Sequence, residues 1–230
     1  MGPRPNLCER ARIVMEISWL GHSCFQLRGK NAILITDPVT PQQENPEEVS
    51  KLSKVNATII TISHDHPGHN YVQGVGGKPR VVRGPGEYEI SDVLITGVSS
   101  FHDDEHGKKQ GRNTIYIIHM DDLVICHLGD LGHTLQEEQL EEVADADVLL
   151  LPIGGGNSIN ATQAVEIISQ VEPRVVIPMH YHTEASGARP AQLDKFCREM
   201  GVEAIEPQPK FTITKSSVPA TMQVVLLTPR

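Results

Sequence analysis

Residues 61–69 read "TISHDHPGH", with histidines at positions 64, 66 and 69 directly behind the apolar run of residues 57–62. An extended backbone turns successive side chains to opposite faces, so His64 and His66 point the same way and Asp65 the other. Two imidazoles on one side can reach one metal ion at about 2.0–2.1 Å, and His69, around the following bend, can face a neighbouring site. Three further apolar runs end in the same manner. "LVICHLG" runs into Asp130, "VLLLPI" into Gly154 to Gly156, and "RVVIPM" into His180. Runs this continuous suit strands covered on both faces, and in sheets of that kind ligands gather beyond the carboxyl ends of the strands. The loops are therefore expected to converge in space.

The remainder of the chain fits a carrier for such a site. Its 230 residues are 39% hydrophobic and 21% charged, enough for one domain with a sizeable core. A net charge of −9, with no basic run to neutralise phosphates, argues against nucleic-acid and anionic-membrane partners and fits an acidic enzyme, for which a small-molecule substrate is the expected partner. The four cysteines, Cys8, Cys24, Cys126 and Cys197, show no CxxC spacing, which speaks against a structural zinc module or a disulfide framework and for a reducing compartment. No apolar run approaches the ~20 residues of a membrane span, and the N-terminus lacks the apolar middle of a signal peptide, so a cytoplasmic location is expected. Patterned sequence begins at Met15, so residues 1–14 read as a disordered extension and 15–230 as a single domain. Homo-oligomer formation is left open.

The first half reads as short strands at 15–19, 23–28, 31–36, 57–63, 80–83, 87–90, 93–97, 113–119 and 122–127, separated by Gly, Pro and Asp turns. In the second half, Ala161, Ala164, Val165, Ile168 and Val171 recur at helical spacing. They predict a helix over about 160–171, capped by Asn160 and closed by Pro173. Another helix is expected at about 190–200, after the strand "RVVIPM".

Ten of the 11 histidines lie between positions 64 and 182. His106, His119 and His182 read as ordinary surface or core residues. His102 in "SSFHDD", Asp130 in "HLGDLGH" and His180 in "IPMHYH" each follow an apolar run and can complete a catalytic metal site. At this point the chain resembles the metallo-β-lactamase fold superfamily. Within it, the likeness is to the branch of small metal-dependent hydrolases related to L-ascorbate-6-phosphate lactonase and the N-acylphosphatidylethanolamine phospholipase. The likeness runs from Met15 onward through "WLGHSCF", "TDPV", "SHDHPGHN", "GPGEYE", "FHDD", "GRNTIY", "HLGDLGH", "LPIGGG" and "IPMHYHT", in family order.

The resemblance implies an α+β, αββα four-layer sandwich with the metal site on the rim between two sheets. It implies His64, His66 and His102 as ligands of a first metal, His69 and His180 as ligands of a second, and Asp130 as the bridge. Asp37 would orient ligands from behind. Asp130, His22 and His133 are the candidate catalytic residues, the two histidines as pocket residues or, equally, as ordinary loop-supporting hydrogen-bonding residues. The cofactor would be one or two zinc ions, with manganese or iron as alternatives. The implied activity is hydrolysis of an ester, lactone, amide or phosphodiester by a metal-activated water.

One position departs from the family motif HxHxDH: its aspartate is Gly68 here. The second metal then keeps only His69, His180 and the shared Asp130, and weak occupancy is expected, with Asp65 or Asp103 as substitutes to examine. That departure keeps two other readings open, a mononuclear iron oxidoreductase and a non-catalytic metal-binding relative. Cys126, inside an apolar strand, reads as core and not as a nucleophile. The glycines 154–156 read either as an approach for an anionic ligand or as a tight turn, and Arg112 as a weak anion contact.

Overall fold

The structure, a computed structural model, describes residues 14–39, 52–181, 190–202 and 205–230. The expected N-terminal extension and His182 fall outside them, apart from Val14. Among the described residues thirteen strands form two sheets. In the first, β12 (Phe211–Ile213), β1 (Met15–Gly21), β2 (Cys24–Arg28), β3 (Ile33–Thr36), β4 (Ala57–Ile62) and β5 (Gly77–Arg83) lie side by side in that order. The second has the order β13 (Gln223–Val224), β11 (Val175–Met179), β10 (Val148–Pro152), β9 (Leu123–His127), β8 (Arg112–Met120), β7 (Val93–Phe101) and β6 (Gly86–Ile90).

Period-two alternation divides the inner strands between two cores. Met15, Ile17 and Trp19 on β1, Phe25 and Leu27 on β2, Tyr116 and Ile118 on β8, and Leu150 and Ile177 on β10 and β11 meet between the sheets. The intervening residues of the second sheet, including Ile115, Ile117, Cys126, Leu149, Leu151 and Val176, face outward under three helices. These are α1 (Glu137–Val143), α2 (Ala161–Val171) and α3 (Ala191–Glu199). Cys126 is thus a core residue, and burial pushes its thiol pKa up. On the far side of the first sheet, Cys24, Ile35, Ile60 and Ile62 pack with Leu52 and Val75.

Helix α2 starts where its cap was expected: Asn160 accepts from the amides of Thr162 and Gln163, at 2.9 and 3.1 Å. It ends at Glu172, whose φ of 50° turns the chain out of the helix. Helix α1 was not expected, because "EEQLEEV" buries only Gln139 and Val143 and so carries too weak an apolar stripe. The C-terminal strands β12 and β13 were also missed; they have three and two residues, too few for a period to register.

Strand directions bring the loops together. In the first sheet β1 runs antiparallel to β2, β2 antiparallel to β3, and β3 parallel to β4, so β1, β3 and β4 all end at one edge. In the second, β9, β10 and β11 are parallel, and β7 shares their direction because β8 is antiparallel to both β7 and β9. His22, Asp37, His64, His102, Asp130 and His180 each follow one of these strand ends.

Backbone and side-chain bonds join the two edges. Thr114 N donates to Ser63 O at 2.9 Å, His180 N to His22 O at 3.1 Å, and the buried Tyr116 hydroxyl to Ile62 O at 2.8 Å. We expect Tyr116→Phe, which deletes one of these links without opening a cavity, to cost about 1–2 kcal/mol. The check is a lower urea midpoint at an unchanged denaturant slope.

Candidate metal centre

Asp130 is 3% exposed, and its Oδ2 is the point on which the imidazoles converge. His69 Nε2 and His180 Nε2 lie 3.0 Å from it, His102 Nε2 at 3.1 Å and His64 Nε2 at 3.8 Å. The other oxygen, Oδ1, accepts the Ser23 hydroxyl at 2.9 Å. Among the described residues three groups of candidate ligands result, His64 with His66 and His102, His69 with Asp130, His180 and His22, and Asp37 with His64 and His69; within each, the donor atoms lie within 4.8 Å of one another.

Second-row contacts decide which ring nitrogens face the centre. Asp37 accepts from Ser63 N at 2.8 Å and from the Ser63 hydroxyl at 2.5 Å. Having given its proton to Asp37, Ser63 Oγ can only accept from His64 Nδ1, 2.9 Å away, which leaves a lone pair on His64 Nε2. Asp37 also takes His69 Nδ1 at 3.1 Å, turning Nε2 toward Asp130. One buried carboxylate thus sets two imidazoles, the usual second-row arrangement behind metal-binding histidines.

Electrostatics follow from burial and this network. Burial, and then His69, pushes the His64 imidazole down to about 3, so it stays neutral and able to donate a lone pair. His69 is also buried, which lowers its pKa, but its bonds to Asp130 and Asp37 outweigh that and raise it to about 10. Burial works against ionised Asp130 and Asp37, yet the surrounding imidazoles hold both below the ordinary carboxylate range.

These residues fit a divalent cation. His64 Nε2 is buried with no hydrogen-bond partner among the described residues. Its 3.8 Å to Asp130 Oδ2 is long for a hydrogen bond, but two tetrahedral ligands each about 2.0–2.1 Å from one ion stand roughly 3.3 Å apart. Binding would displace the proton that His69 Nε2 shares with Asp130, which couples metal uptake to proton release.

Three residues here have left-handed backbones: His22 and His180 with φ of 54°, and Asp37 with φ of 37°. Such conformations are uncommon outside glycine and cluster at functional sites held by their surroundings. Gly154 supports one of them, because a Cβ there would overlap the carbonyl oxygen of His180. The "GGG" loop is therefore a close backbone approach beneath a candidate ligand.

The structure thus brings together His64, His66, His69, His102, Asp130 and His180, with Asp37 behind them. His133 is in none of the groups of candidate ligands. That ring donates from Nδ1 to Thr134 O at 2.6 Å and accepts at Nε2 from Phe101 N at 3.1 Å. It lines a cavity of about 200 Å³ with Phe101, Asp103, Asp104, His106 and Leu135. Neither suggested substitute for the missing carboxylate turns inward. Asp65 bonds Asn70 at 2.7 Å and stands 3.5 Å from Arg83 on the surface. Asp103 accepts the amides of Glu105, Gly107, Lys109 and Gln110, at 2.7–2.9 Å, and shapes its own loop.

Several supporting residues went unread in the sequence. Besides Ser23 and Ser63, Asn113 accepts Asp130 N at 3.0 Å while donating to Ser100 Oγ and Leu128 O. His127, fully buried, bonds Ser23 O at 2.9 Å. Their only sequence signal is a position next to or opposite a ligand, which becomes visible once the strands are paired.

A family model described as a beta-lactamase superfamily domain matches residues 16–180. The chain belongs to that superfamily. A crystal structure of a candidate Zn-dependent hydrolase of the metallo-beta-lactamase superfamily from Thermotoga maritima is 32% identical. It covers 93% of this chain and 98% of its own, with a TM-score of 0.73. Proteins named UPF0173 metal-dependent hydrolase are similar as well. One from Thermococcus onnurineus is 29% identical over 195 residues, 74% of this chain and 86% of the relative. Another from Thermoplasma acidophilum is 26% identical over 222 residues, 84% and 96%. Two mixed sheets with helices packed on them are the architecture this membership implies.

Gly154→Ala tests how tightly the loop holds His180. We expect it to lower stability by about 1–3 kcal/mol through overpacking and to weaken metal binding as His180 is displaced. Thermal unfolding and zinc titration read the two effects; lost stability with unchanged zinc affinity would assign the glycine to packing alone.

Proposed function

We propose that the protein is a hydrolase using two metal ions, the first held by His64, His66 and His102, the second by His69 and His180, with Asp130 shared. The observation that carries this reading is the convergence of four imidazole nitrogens on Asp130 Oδ2 at 3.0–3.8 Å. Support also comes from the buried, unpartnered Nε2 of His64 and from relatives named metal-dependent hydrolases. An imidazole-rich donor set suits zinc better than magnesium or calcium. Bound there, such ions supply a water acidified to a pKa of about 7 and a Lewis acid for the electrophilic oxygen.

The chain's own residues hold and orient. Asp37, through Ser63 and His69, keeps Nε2 of His64 and of His69 directed at the centre. Ser23 and Asn113 fix Asp130, the first through Oδ1 and the second through the backbone amide, so that Oδ2 stays available. The site needs no serine or cysteine nucleophile, and Cys126 is buried on the far face of the second sheet. The substrate class we assign is a small ester, lactone, amide or phosphodiester. A cytoplasmic setting agrees with the scattered cysteines, and among the described residues no helix is long and apolar enough to cross a membrane.

The test is elemental analysis of the purified protein followed by assays against a panel of those four bond types. We expect about two zinc or manganese ions per chain and hydrolysis of at least one class. His66→Ala should release at least one metal and lower activity by two orders of magnitude or more; unchanged metal content would reject the first ligand set. One iron per chain with visible colour would favour the oxidoreductase reading, and no metal the binding-protein reading.

A further inference from the structure

The motif "HDHPGH" has no carboxylate at position 68, and the structure shows what occupies the adjoining space. A Cβ at Gly68 would lie 3.4 Å from Nε2 of His22 and 3.6 Å from its Cδ2. The His22 ring is therefore the first thing a side chain at 68 would meet. Its centroid is 4.7 Å from that of His69 and 4.1 Å from that of His180. Its donor nitrogen lies within 4.8 Å of the donor atoms of His69, His180 and Asp130. Among the described residues, neither ring nitrogen of His22 has a hydrogen-bond partner.

We propose that His22 is a ligand of the second metal and replaces the absent carboxylate, so that each ion is held by three imidazoles with Asp130 shared between them. The inference rests on the two-metal reading above. Its support is that the chain holds His22 in place by means unrelated to its ring. The His22 carbonyl accepts from Trp19 Nε1 at 2.9 Å and from His180 N at 3.1 Å, while the neighbouring Ser23 bonds the shared carboxylate. The backbone is thereby kept at its left-handed φ of 54°, a conformation that persists only where the surroundings over-determine it.

Exchanging a carboxylate for an imidazole changes what the site takes. Carboxylate oxygens suit manganese and magnesium, and imidazoles suit zinc and its neighbours. With a single carboxylate for two dications, the second site should discriminate strongly for zinc over manganese.

Zinc and manganese titrations, read by calorimetry and native mass spectrometry, test this in the full chain. His22→Gly removes the ring, accepts the positive φ without penalty and leaves the two bonds to the residue 22 carbonyl possible. We expect the unmodified protein to take two zinc ions, and His22→Gly to keep one and bind the second at least tenfold more weakly. His22→Gly combined with Gly68→Asp should recover the second ion and admit manganese there. In the unmodified protein, carbethoxylation of His22 by diethyl pyrocarbonate should be suppressed only when the second zinc is loaded, a readout that does not depend on any variant folding. Two tight zinc ions in His22→Gly, or a His22 equally reactive with and without zinc, would overturn the assignment while leaving the hydrolase reading intact. An unmodified protein that never takes a second zinc would overturn the two-metal reading and this inference with it.

Discussion

A buried carboxylate surrounded by imidazoles is the constraint around which this structure is arranged. Asp130 cannot sit uncompensated inside a protein, since an isolated buried charge is among the costliest groups to desolvate. Its compensation comes from a hydroxyl on Oδ1 and three imidazole nitrogens within 3.1 Å of Oδ2, while Asn113 accepts its backbone amide and fixes its position. The partners come from chain positions between 23 and 180. Satisfying one carboxylate therefore fixes how the two sheets meet at their common edge.

A second buried carboxylate, Asp37, works behind the first. It is fully enclosed and bonded to Ser63 and His69, so its negative charge is committed to the residues that hold the imidazoles. The division of labour between Asp130 and Asp37 is one of direction. One gathers imidazoles around a single oxygen, and the other holds two of those imidazoles in orientation from behind.

Much of this was legible in the sequence, for identifiable reasons. Strands buried on both faces announce themselves as continuous apolar runs, and the loops after "ATIITI", "LVICH" and "RVVIPM" could be read as neighbours. Helix α2 was legible from its spacing and its cap. Three features were not. The weak stripe of α1 and the two- and three-residue strands β12 and β13 are shaped by tertiary pairing and not by local pattern. For His133 a pocket role and a loop-supporting hydrogen bond stayed open together, because nothing local reveals that the Phe101 amide and the Thr134 carbonyl engage both its nitrogens. The proximity of His22 to Gly68 spans 46 positions of chain and could not be inferred from either residue's neighbours.

The spread of the candidate ligands along the chain has a kinetic consequence. Residues 22, 64–69, 102, 130 and 180 come into range only after β1, β4, β7, β9 and β11 have all found their places in two sheets. A cation can therefore contribute little to the early, local steps of folding, and the slow search for long-range strand pairings proceeds without it. In a zinc finger the ion and the fold arrive together. Here the sandwich, with its own inter-sheet core from Met15 to Leu227, must stand first and receive the ion as a finished receptor.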